Sequence, residues 1–139
     1  MRKRVLAVDD DERLRRLLRV NLESQEIEVT EVGTGEECLR IAQEGGIDLI
    51  LLDLNLPDCS GWDVLASLRQ MGFPKSIPVV VLSVVPPDKT MIQRWKPEDY
   101  LQKPFDARQL PGLVQRVLLG AEGDSPQSPD RRDSNEQRS

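Results

Sequence analysis

The chain has no histidine, two cysteines and few aromatic residues. Without histidine, catalysis by an imidazole base is excluded, and so is a zinc site built on histidine ligands. The two cysteines, Cys38 and Cys59, are far apart in the sequence and form no CxxC pair, which also argues against zinc. We expect both to be reduced thiols of a cytoplasmic protein, because disulfides are scarce in that compartment.

Long apolar runs are also missing. No stretch approaches the roughly 18 apolar residues that mark a transmembrane helix, so we expect no membrane span. The apolar stretch after the basic start, residues 5–8, is too short for a signal peptide. The formal net charge of −5 argues against a nucleic-acid-binding surface, which normally carries a clustered basic excess. The composition therefore predicts a protein that binds neither membrane nor nucleic acid.

The length of 139 residues favours one domain, which we place at residues 1–120. Residues 121–139 differ in kind, because Ala121 is their one apolar residue among glycine, serine, proline and charged residues. Such a segment cannot bury enough apolar surface to offset the entropy lost on ordering. We expect a disordered tail or a truncated linker there.

Within the domain, apolar runs alternate with leucine-rich stretches of helical spacing. The runs predict strands at residues 5–8, 27–32, 48–54, 78–82 and 99–102. Thr34 and Ser60 stand in capping-box positions and Asp88 in a cap position, each before a predicted helix. Strict alternation of strand and helix predicts a doubly wound α/β fold, a parallel sheet with helices on both faces. For five strands, the flavodoxin-like order 2-1-3-4-5 is the leading choice.

Polar side chains follow four of the five predicted strands. They are Asp9, Asp10 and Asp11 after the first, Asp53 at the end of the third, Ser83 after the fourth and Lys103 after the fifth. Only Gly33 and Thr34 follow the second strand. In the order 2-1-3-4-5 the polar strand ends are adjacent and the second strand is an edge. We therefore expect the polar groups to converge on one pocket at the carboxyl ends of the strands.

Such a cluster of carboxylates predicts a site for a hard divalent cation, because close carboxylates repel and burial adds to the cost. Mg²⁺ prefers oxygen ligands and is commonly held by one or two carboxylates together with phosphate oxygens. Asp10 and Asp53 would be direct ligands, and Asp9 a direct or water-mediated one. A carboxylate can also act as a nucleophile and form an aspartyl phosphate. Lys103 would then neutralise a phosphoryl oxygen, and the Ser83 hydroxyl would donate to another.

Taken singly, most of these residues have a structural explanation. Asp9 or Asp11 alone is more often a helix cap, and Ser83 a strand-end or turn residue. Lys103 alone is usually solvated. Asp53 is harder to explain in this way, because an unpaired charge at the end of an apolar strand is costly. Their joint position at the ends of one sheet favours a functional site.

Four segments resemble the receiver domain of two-component response regulators. They are Val8-Asp9-Asp10-Asp11, Leu51 to Pro57 with Gly61 following, Val81-Leu82-Ser83, and Tyr100 to Phe105, and the similarity covers about residues 3–119. The resemblance implies that Asp53 is the phosphoacceptor and that Asp9 and Asp10 form the acidic pair, with Asp10 a metal ligand.

The same resemblance assigns the remaining site residues. Asn55 would offer its backbone carbonyl to Mg²⁺, Ser83 and Lys103 would contact the phosphoryl group, and Tyr100 would be the switch aromatic. The donor would be a phosphohistidine on a sensor histidine kinase or a phosphotransfer protein. Phosphorylation would alter a partner-binding surface formed by the fourth helix, fifth strand and fifth helix. We expect a monomer or weak dimer that is a signalling switch, although it would catalyse its own phosphoryl transfer and slow autodephosphorylation.

The sequence departs from the family near that surface. The segment from Ser83 to Lys103 is shorter than usual, and Val84 stands where a small residue is common, so we expect narrower access to Asp53. Residues 84–87 form a stiff apolar loop, because two prolines fix their φ angles.

The start of the last helix is a second departure. Pro111 and Gly112 fall within its expected first residues. Proline is tolerated in the first turn of a helix but costs about 3 kcal/mol in the interior. We therefore expect this helix to start late, around Gln109, or to kink.

Three alternatives compete with a phosphorylated switch. One is a pseudo-receiver, a protein-binding module whose output ignores phosphate. Another is a haloacid-dehalogenase-like phosphatase, but Asn55 stands where that family needs a second aspartate. The third is a dinucleotide site, which is disfavoured because no GxGxxG follows the first strand.

Overall fold

The computed structural model describes residues 2–71 and 76–123, and these form a five-stranded sheet with helices on both faces. In chain order the elements are β1 (Lys3–Val8), α1 (Glu12–Glu23), β2 (Ile27–Val32), α2 (Gly35–Glu44), β3 (Leu49–Asp53), α3 (Gly61–Gln70), β4 (Val79–Ser83), α4 (Lys89–Trp95), β5 (Asp99–Gln102) and α5 (Leu110–Gly123). The strands pair in parallel in the order β2-β1-β3-β4-β5. The predicted flavodoxin-like fold is therefore confirmed.

Two apolar cores flank the sheet, because side chains alternate between its faces along each strand. In β1, Val5 and Ala7 pack toward α1 and α5, whereas Leu6 and Val8 pack toward α2 and α3. Every residue of β3 and β4 is buried, as expected for strands covered on both faces. This burial fixes the register of the central strands and hence the position of their ends.

The two edge strands are the more exposed ones. Along β2 buried and exposed residues are mixed, and β5 has no buried residue. The half-exposed edge strand predicted at residues 27–32 is confirmed. Since all five strands are parallel, the residues that follow β1, β3, β4 and β5 meet at one edge of the sheet.

Side-chain caps begin four of the helices. Thr34 accepts a hydrogen bond from the backbone of Glu37, and Ser60 accepts one from Trp62. Asp88 caps α4, and Asp11 caps α1 through the amides of Arg13 and Leu14. These side chains satisfy amides that have no partner inside the helix. The predicted caps Thr34, Ser60 and Asp88 are confirmed.

The last helix begins late, as its sequence predicts. A single 3-10 turn, Ala107–Gln109, precedes α5, which starts at Leu110. Pro111 lies in the first turn, where its missing amide is not needed. The helix continues through residues 121–123, which had been predicted to belong to the tail. The rest of the predicted tail, residues 124–139, lies outside the described residues.

Arg69 on α3 joins the end of α4 to the start of β4. Its guanidinium donates to the carbonyls of Trp95, at 3.0 Å, and Lys96, at 2.9 Å. It also donates to the carbonyl of Ile77 at 3.0 Å and to the carboxylate of Glu98 at 3.2 Å. The carbonyls at the end of a helix lack partners within that helix, and one side chain here satisfies two of them. No helix in the described part of the chain is long and apolar enough to cross a membrane.

We expect Arg69→Ala to lower the free energy of unfolding by about 2–3 kcal/mol, because it leaves several partly buried acceptors without their charged donor. Urea unfolding followed by circular dichroism measures this change. Arg40→Ala is the matched control, since Arg40 is an exposed helix residue paired with Glu44 four positions on. That pair should contribute only about 0.3–0.5 kcal/mol. Equal losses in both variants would contradict a special role for Arg69.

Candidate acidic phosphoryl-transfer site

A pocket opens at the carboxyl edge of the sheet, where the sequence predicts it. Its lining residues are Asp9, Asp10, Asp11, Asp53, Asn55, Leu56, Pro57, Val84 and Lys103. Val84 lies at its rim with 60% of its surface exposed. Ser83 is not among the described residues that line this pocket.

Three carboxylates, those of Asp9, Asp10 and Asp53, meet in this pocket. Each offers an oxygen, and these oxygens lie within 4.8 Å of one another. Asp9 and Asp53 are buried, with 1% and 5% exposed, whereas Asp10 is exposed. The cluster could therefore hold a metal ion, since an all-oxygen donor set with one solvent-facing member suits a hard cation. The Asp11 carboxylate is engaged as the cap of α1.

Asp9 is held at each of its polar groups. Its amide donates to the carbonyl of Val32 at 3.2 Å, and its own carbonyl accepts from Nη1 of Arg15 at 2.7 Å. Its carboxylate accepts from the amide of Asp11 at 2.9 Å and from Nζ of Lys103 at 2.8 Å. A buried charge with both oxygens bonded is a fixed part of the site.

Asp53 is the last residue of β3, and its carboxylate lies at the floor of the pocket. One oxygen accepts from the amide of Asn55 at 3.2 Å and lies 3.7 Å from Nζ of Lys103. Burial is the main cause that raises the pKa of Asp53, and the nearby carboxylates of Asp9 and Asp10 add to it. The Asn55 amide and Lys103 act in the opposite direction but do not overcome burial.

Lys103 joins the ends of β4 and β5 to the acidic cluster. Its amide donates to the carbonyl of Ser83 at 2.7 Å, which aligns the two strand ends. Its ammonium contacts Asp9 more closely than Asp53, at 2.8 Å against 3.7 Å. The alternative prediction, that Lys103 is simply solvated, is wrong. The carboxylates of Asp9 and Asp53 both lie within ion-pair distance of its ammonium, and only 19% of its side chain is exposed.

Ser83 and Tyr100 are both bonded to the backbone of one residue, Val85. The Ser83 hydroxyl accepts from the amide of Val85 at 3.0 Å, and the Tyr100 hydroxyl donates to the carbonyl of Val85 at 2.6 Å. Ser83 is buried at the end of β4, whereas Val85 is half exposed. The two predicted switch residues are thus linked through the loop that precedes α4.

The loop after Asp53 depends on Gly61. The amide of Gly61 donates to the carbonyl of Leu54 at 2.8 Å, and Asn55 pairs with Ser60 in an isolated bridge. A Cβ at position 61 would overlap the backbone of Asp53 and Leu54. Only glycine lets α3 begin this close to the phosphoacceptor candidate, which keeps Asn55 at the pocket.

Sequence reasoning missed two contributors, Arg15 and Asp58. Arg15 binds the Asp9 carbonyl and pairs with Glu31 on β2 at 3.1 Å. Asp58 accepts from the amides of Gly35 and Glu36 at the start of α2, at 2.9 and 3.0 Å. Asp58 therefore anchors the loop that carries Asn55. Neither residue stands out in the sequence, because α1 carries several arginines and the loop several polar residues.

The two cysteines are free, as expected. Cys38 is buried in the core under α2, and burial raises the pKa of its thiol to about 12. The pKa of the Cys59 thiol is also raised, chiefly by burial and then by the charge of Asp58. These shifts favour the neutral thiol over the reactive thiolate.

Comparison with known proteins decides the family. The family model for the response regulator receiver domain matches residues 5–115. The chain belongs to the response regulator receiver family. It contains a receiver domain of the two-component system type, and receiver domains are signalling domains rather than classical enzymes.

Individual relatives agree with this assignment. The chain is 33% identical over 120 residues to the transcriptional regulatory protein SrrA of Staphylococcus aureus, covering 85% of this chain and 48% of that protein. The chain thus spans about half the length of the curated relatives it matches. Among solved structures, it resembles the chemotaxis response regulator CheY4 of Vibrio cholerae, with a TM-score of 0.77 and 28% identity over 84% of this chain and 99% of that one.

A third relative is the response regulator DrrB of Thermotoga maritima. Its structure gives a TM-score of 0.74 and 27% identity over 86% of this chain and 54% of that one. The receiver domain of DrrB activated with BeF₃ gives the same TM-score and is covered to 99%.

The raised pKa of Asp53 has a consequence for stability. Ionising Asp53 is less favourable in the folded chain than in the unfolded chain. The stability that protonated Asp53 gives the folded chain is therefore fully present below the unfolded pKa of 3.8. This stability is lost as the pH rises through the higher pKa of the folded chain. We expect Asp53→Asn to raise the Tm near neutral pH without metal, and this gain to shrink as the pH falls toward about 4. Calorimetry across this range measures it.

Asp106→Asn is the control, because its Tm should change in the opposite direction. Arg108 lowers the pKa of Asp106 to about 2, so this carboxylate stabilises the fold above the unfolded value of 3.8. Its replacement should lower the Tm at neutral pH. A lower Tm for Asp53→Asn as well would contradict the assigned cost of burying that charge.

Proposed function

We propose that this receiver domain is an active phosphorylation switch that accepts a phosphoryl group on Asp53. The observation that carries the proposal is the buried Asp53 carboxylate, whose oxygen lies within 4.8 Å of those of Asp9 and Asp10 and 3.7 Å from Lys103. The donor is a phosphohistidine of a sensor histidine kinase or phosphotransfer protein, which the family membership supports. Nucleophile, cation site and neutralising ammonium are then present in one pocket.

Mg²⁺ is the cation that this donor set favours. Asp10 and Asp53 would hold it with their carboxylates and Asn55 with its backbone carbonyl. Asp9 would contact it through water, because both Asp9 oxygens already accept hydrogen bonds. When bound, Mg²⁺ neutralises charge on the carboxylates and on the phosphoryl oxygens, and it orients the phosphoryl group for transfer.

In the transfer step, an oxygen of Asp53 attacks phosphorus as the P–N bond to the donor histidine breaks. The electron pair of that bond returns to the imidazole nitrogen, and an acyl phosphate forms on Asp53. Lys103 lies close enough to move its ammonium from Asp9 toward the new phosphoryl oxygens. Positioning and charge neutralisation supply most of the catalysis in such transfers.

The loop before α4 would transmit the change. When the Ser83 hydroxyl turns to donate to a phosphoryl oxygen, it releases the amide of Val85. Tyr100 holds the carbonyl of that same residue, so the two side chains respond together. α4 has no buried residue, so the part of α4 ahead of its end at Trp95, which Arg69 holds, can shift at lower cost than a buried helix. Phosphorylation then favours a conformer with a different surface on α4, β5 and α5.

Incubation with Mg²⁺ and acetyl phosphate tests the proposal. We expect intact mass spectrometry to show one added phosphoryl group, absent in Asp53→Asn and without Mg²⁺. Asp99→Asn, an exposed carboxylate of β5, is the matched control and should be labelled like the unmodified chain. No mass gain, together with unchanged spectra on adding the phosphate mimic beryllofluoride, would instead favour a pseudo-receiver that binds partners without phosphate.

Val85 should control how long the phosphoryl group persists. It lies two residues past Ser83 in the loop before α4, and we infer that an apolar side chain there cannot assist a water that attacks the phosphoryl group. We expect Val85→Glu to shorten the lifetime by roughly tenfold, less than a fully positioned general base would achieve. Val85→Leu keeps the site apolar and should leave the lifetime unchanged. An equal or longer lifetime for Val85→Glu, measured by loss of label after the donor is removed, would refute this role.

A further inference from the structure

Arg15 connects the backbone of the acidic loop, residues 9–11, to the edge strand β2. Its Nη1 donates to the carbonyl of Asp9 at 2.7 Å, and its Nε donates to the carboxylate of Glu31 at 3.1 Å. Only 18% of the Arg15 side chain and 19% of that of Glu31 are exposed. Arg15 is therefore held between two elements, and these hydrogen bonds go to neither the Asp10 nor the Asp53 side chain.

We propose that Arg15 is a positioning residue for the metal site, acting through the peptide that joins Asp9 to Asp10. This inference rests on the proposed function, since it concerns the same Mg²⁺ site. The Asp9 carbonyl belongs to a planar peptide unit, so fixing that oxygen also fixes the orientation of the next residue's backbone. The amide of Asp9 is fixed in turn by the carbonyl of Val32. Asp10 is then left to adjust mainly by its side-chain torsions.

The shape of the guanidinium is what this position requires. Two nitrogens of the planar Arg15 guanidinium donate at once, one to the Asp9 carbonyl and the other to the Glu31 carboxylate. A lysine is a single point charge on a flexible stem and would hold one acceptor at a time in this geometry. On the other side, the second carboxylate oxygen of Glu31 lies 3.0 Å from Nε of Arg19, so Glu31 also forms an ion pair with that residue.

Gly33 leaves the space that the guanidinium occupies. A Cβ at position 33 would lie 3.4 Å from Nη1 of Arg15 and 4.0 Å from the carbonyl oxygen of Asp9. A side chain at position 33 would therefore be in van der Waals contact with the guanidinium. The end of β2 contributes no side chain to the pocket lining, yet Glu31 and Gly33 shape the pocket through Arg15.

Charge alone does not account for this arrangement. Arg15 and Glu31 carry opposite charges 3.1 Å apart, so their fields at the carboxylates partly cancel. The double variant Arg15→Met with Glu31→Gln removes both charges and leaves the net charge unchanged. A purely electrostatic role predicts unaltered Mg²⁺ binding in this double variant, whereas a positioning role predicts weaker binding.

Direct titration of Mg²⁺ by calorimetry, without any phosphodonor, tests the inference on the full chain. We expect Arg15→Met and the double variant to bind Mg²⁺ about tenfold more weakly, as is typical when a group that orients a metal ligand is removed. Arg15→Lys should recover only part of this loss. Arg16→Met is the matched control, since Arg16 lies on the same helix and pairs with Glu12 rather than with Glu31 or the acidic loop. It should change Mg²⁺ affinity by less than about twofold.

Gly33→Val provides a second test should Arg15→Met fold poorly. It keeps Arg15 but crowds its guanidinium, and it should also weaken Mg²⁺ binding while circular dichroism shows the native helix content. Wild-type affinity in Arg15→Met or Gly33→Val, or an equal loss in Arg16→Met, would overturn the inference while the unmodified chain still binds Mg²⁺ and accepts a phosphoryl group. If the unmodified chain binds no Mg²⁺ and gains no phosphoryl mass, the proposed function fails and the positioning role fails with it.

Discussion

The mutual repulsion of three carboxylates, those of Asp9, Asp10 and the buried Asp53, is the constraint on which the site depends. The apolar strands that bury Asp53 also raise its pKa, so the fold itself makes this charge costly. The chain counters that cost with the Lys103 ammonium and with amide donors such as that of Asn55. Because these groups do not overcome the effect of burial, a cation bound among the three carboxylates would lower the remaining cost.

The sheet provides this concentration of charge because its strands are parallel. Their carboxyl ends meet at one edge, and the register of the buried central strands aligns those ends closely. Two apolar cores hold that register from both faces. By contrast, α4 and the loop before it are lightly packed and stand next to Ser83 and Tyr100. Buried strands beneath a helix that has no buried residue would suit the proposed switch, which must keep its site geometry while a surface beside it changes.

Most of the fold could be predicted from sequence because burial leaves a periodic pattern. The strands at residues 27–32 and 99–102 have the bounds that their composition predicts. The third and fourth strands shift by a residue at their ends, since the apolar run does not reveal which terminal residue pairs with the neighbouring strand. The placement of Pro111 in the first turn of α5 was predictable because proline excludes most other positions. The extent of α5 past residue 120 was not, because a polar helix end lacks an apolar stripe.

Most pocket residues were also predictable, although the predicted Ser83 does not line the pocket, but their contacts were not. Strand ends reveal which side chains converge, and Asp9, Asp10, Asp53, Asn55 and Lys103 all line the pocket. That Lys103 lies closer to Asp9 than to Asp53, and that Ser83 bonds to Val85, depends on distances of about one ångström that no sequence pattern encodes. Arg15 was missed for a related reason, since nothing in the sequence separates it from its neighbouring arginines on α1.

The central claim is that Asp53 is the residue that accepts the phosphoryl group. Borohydride reduces an acyl phosphate of aspartate to homoserine, so reduction after treatment with acetyl phosphate and Mg²⁺ marks the acceptor permanently. Peptide mapping by mass spectrometry should then find homoserine at position 53 and at no other aspartate. Reduction at Asp9, Asp10 or Asp11 instead, or at no residue of a folded protein that binds Mg²⁺, would contradict the account.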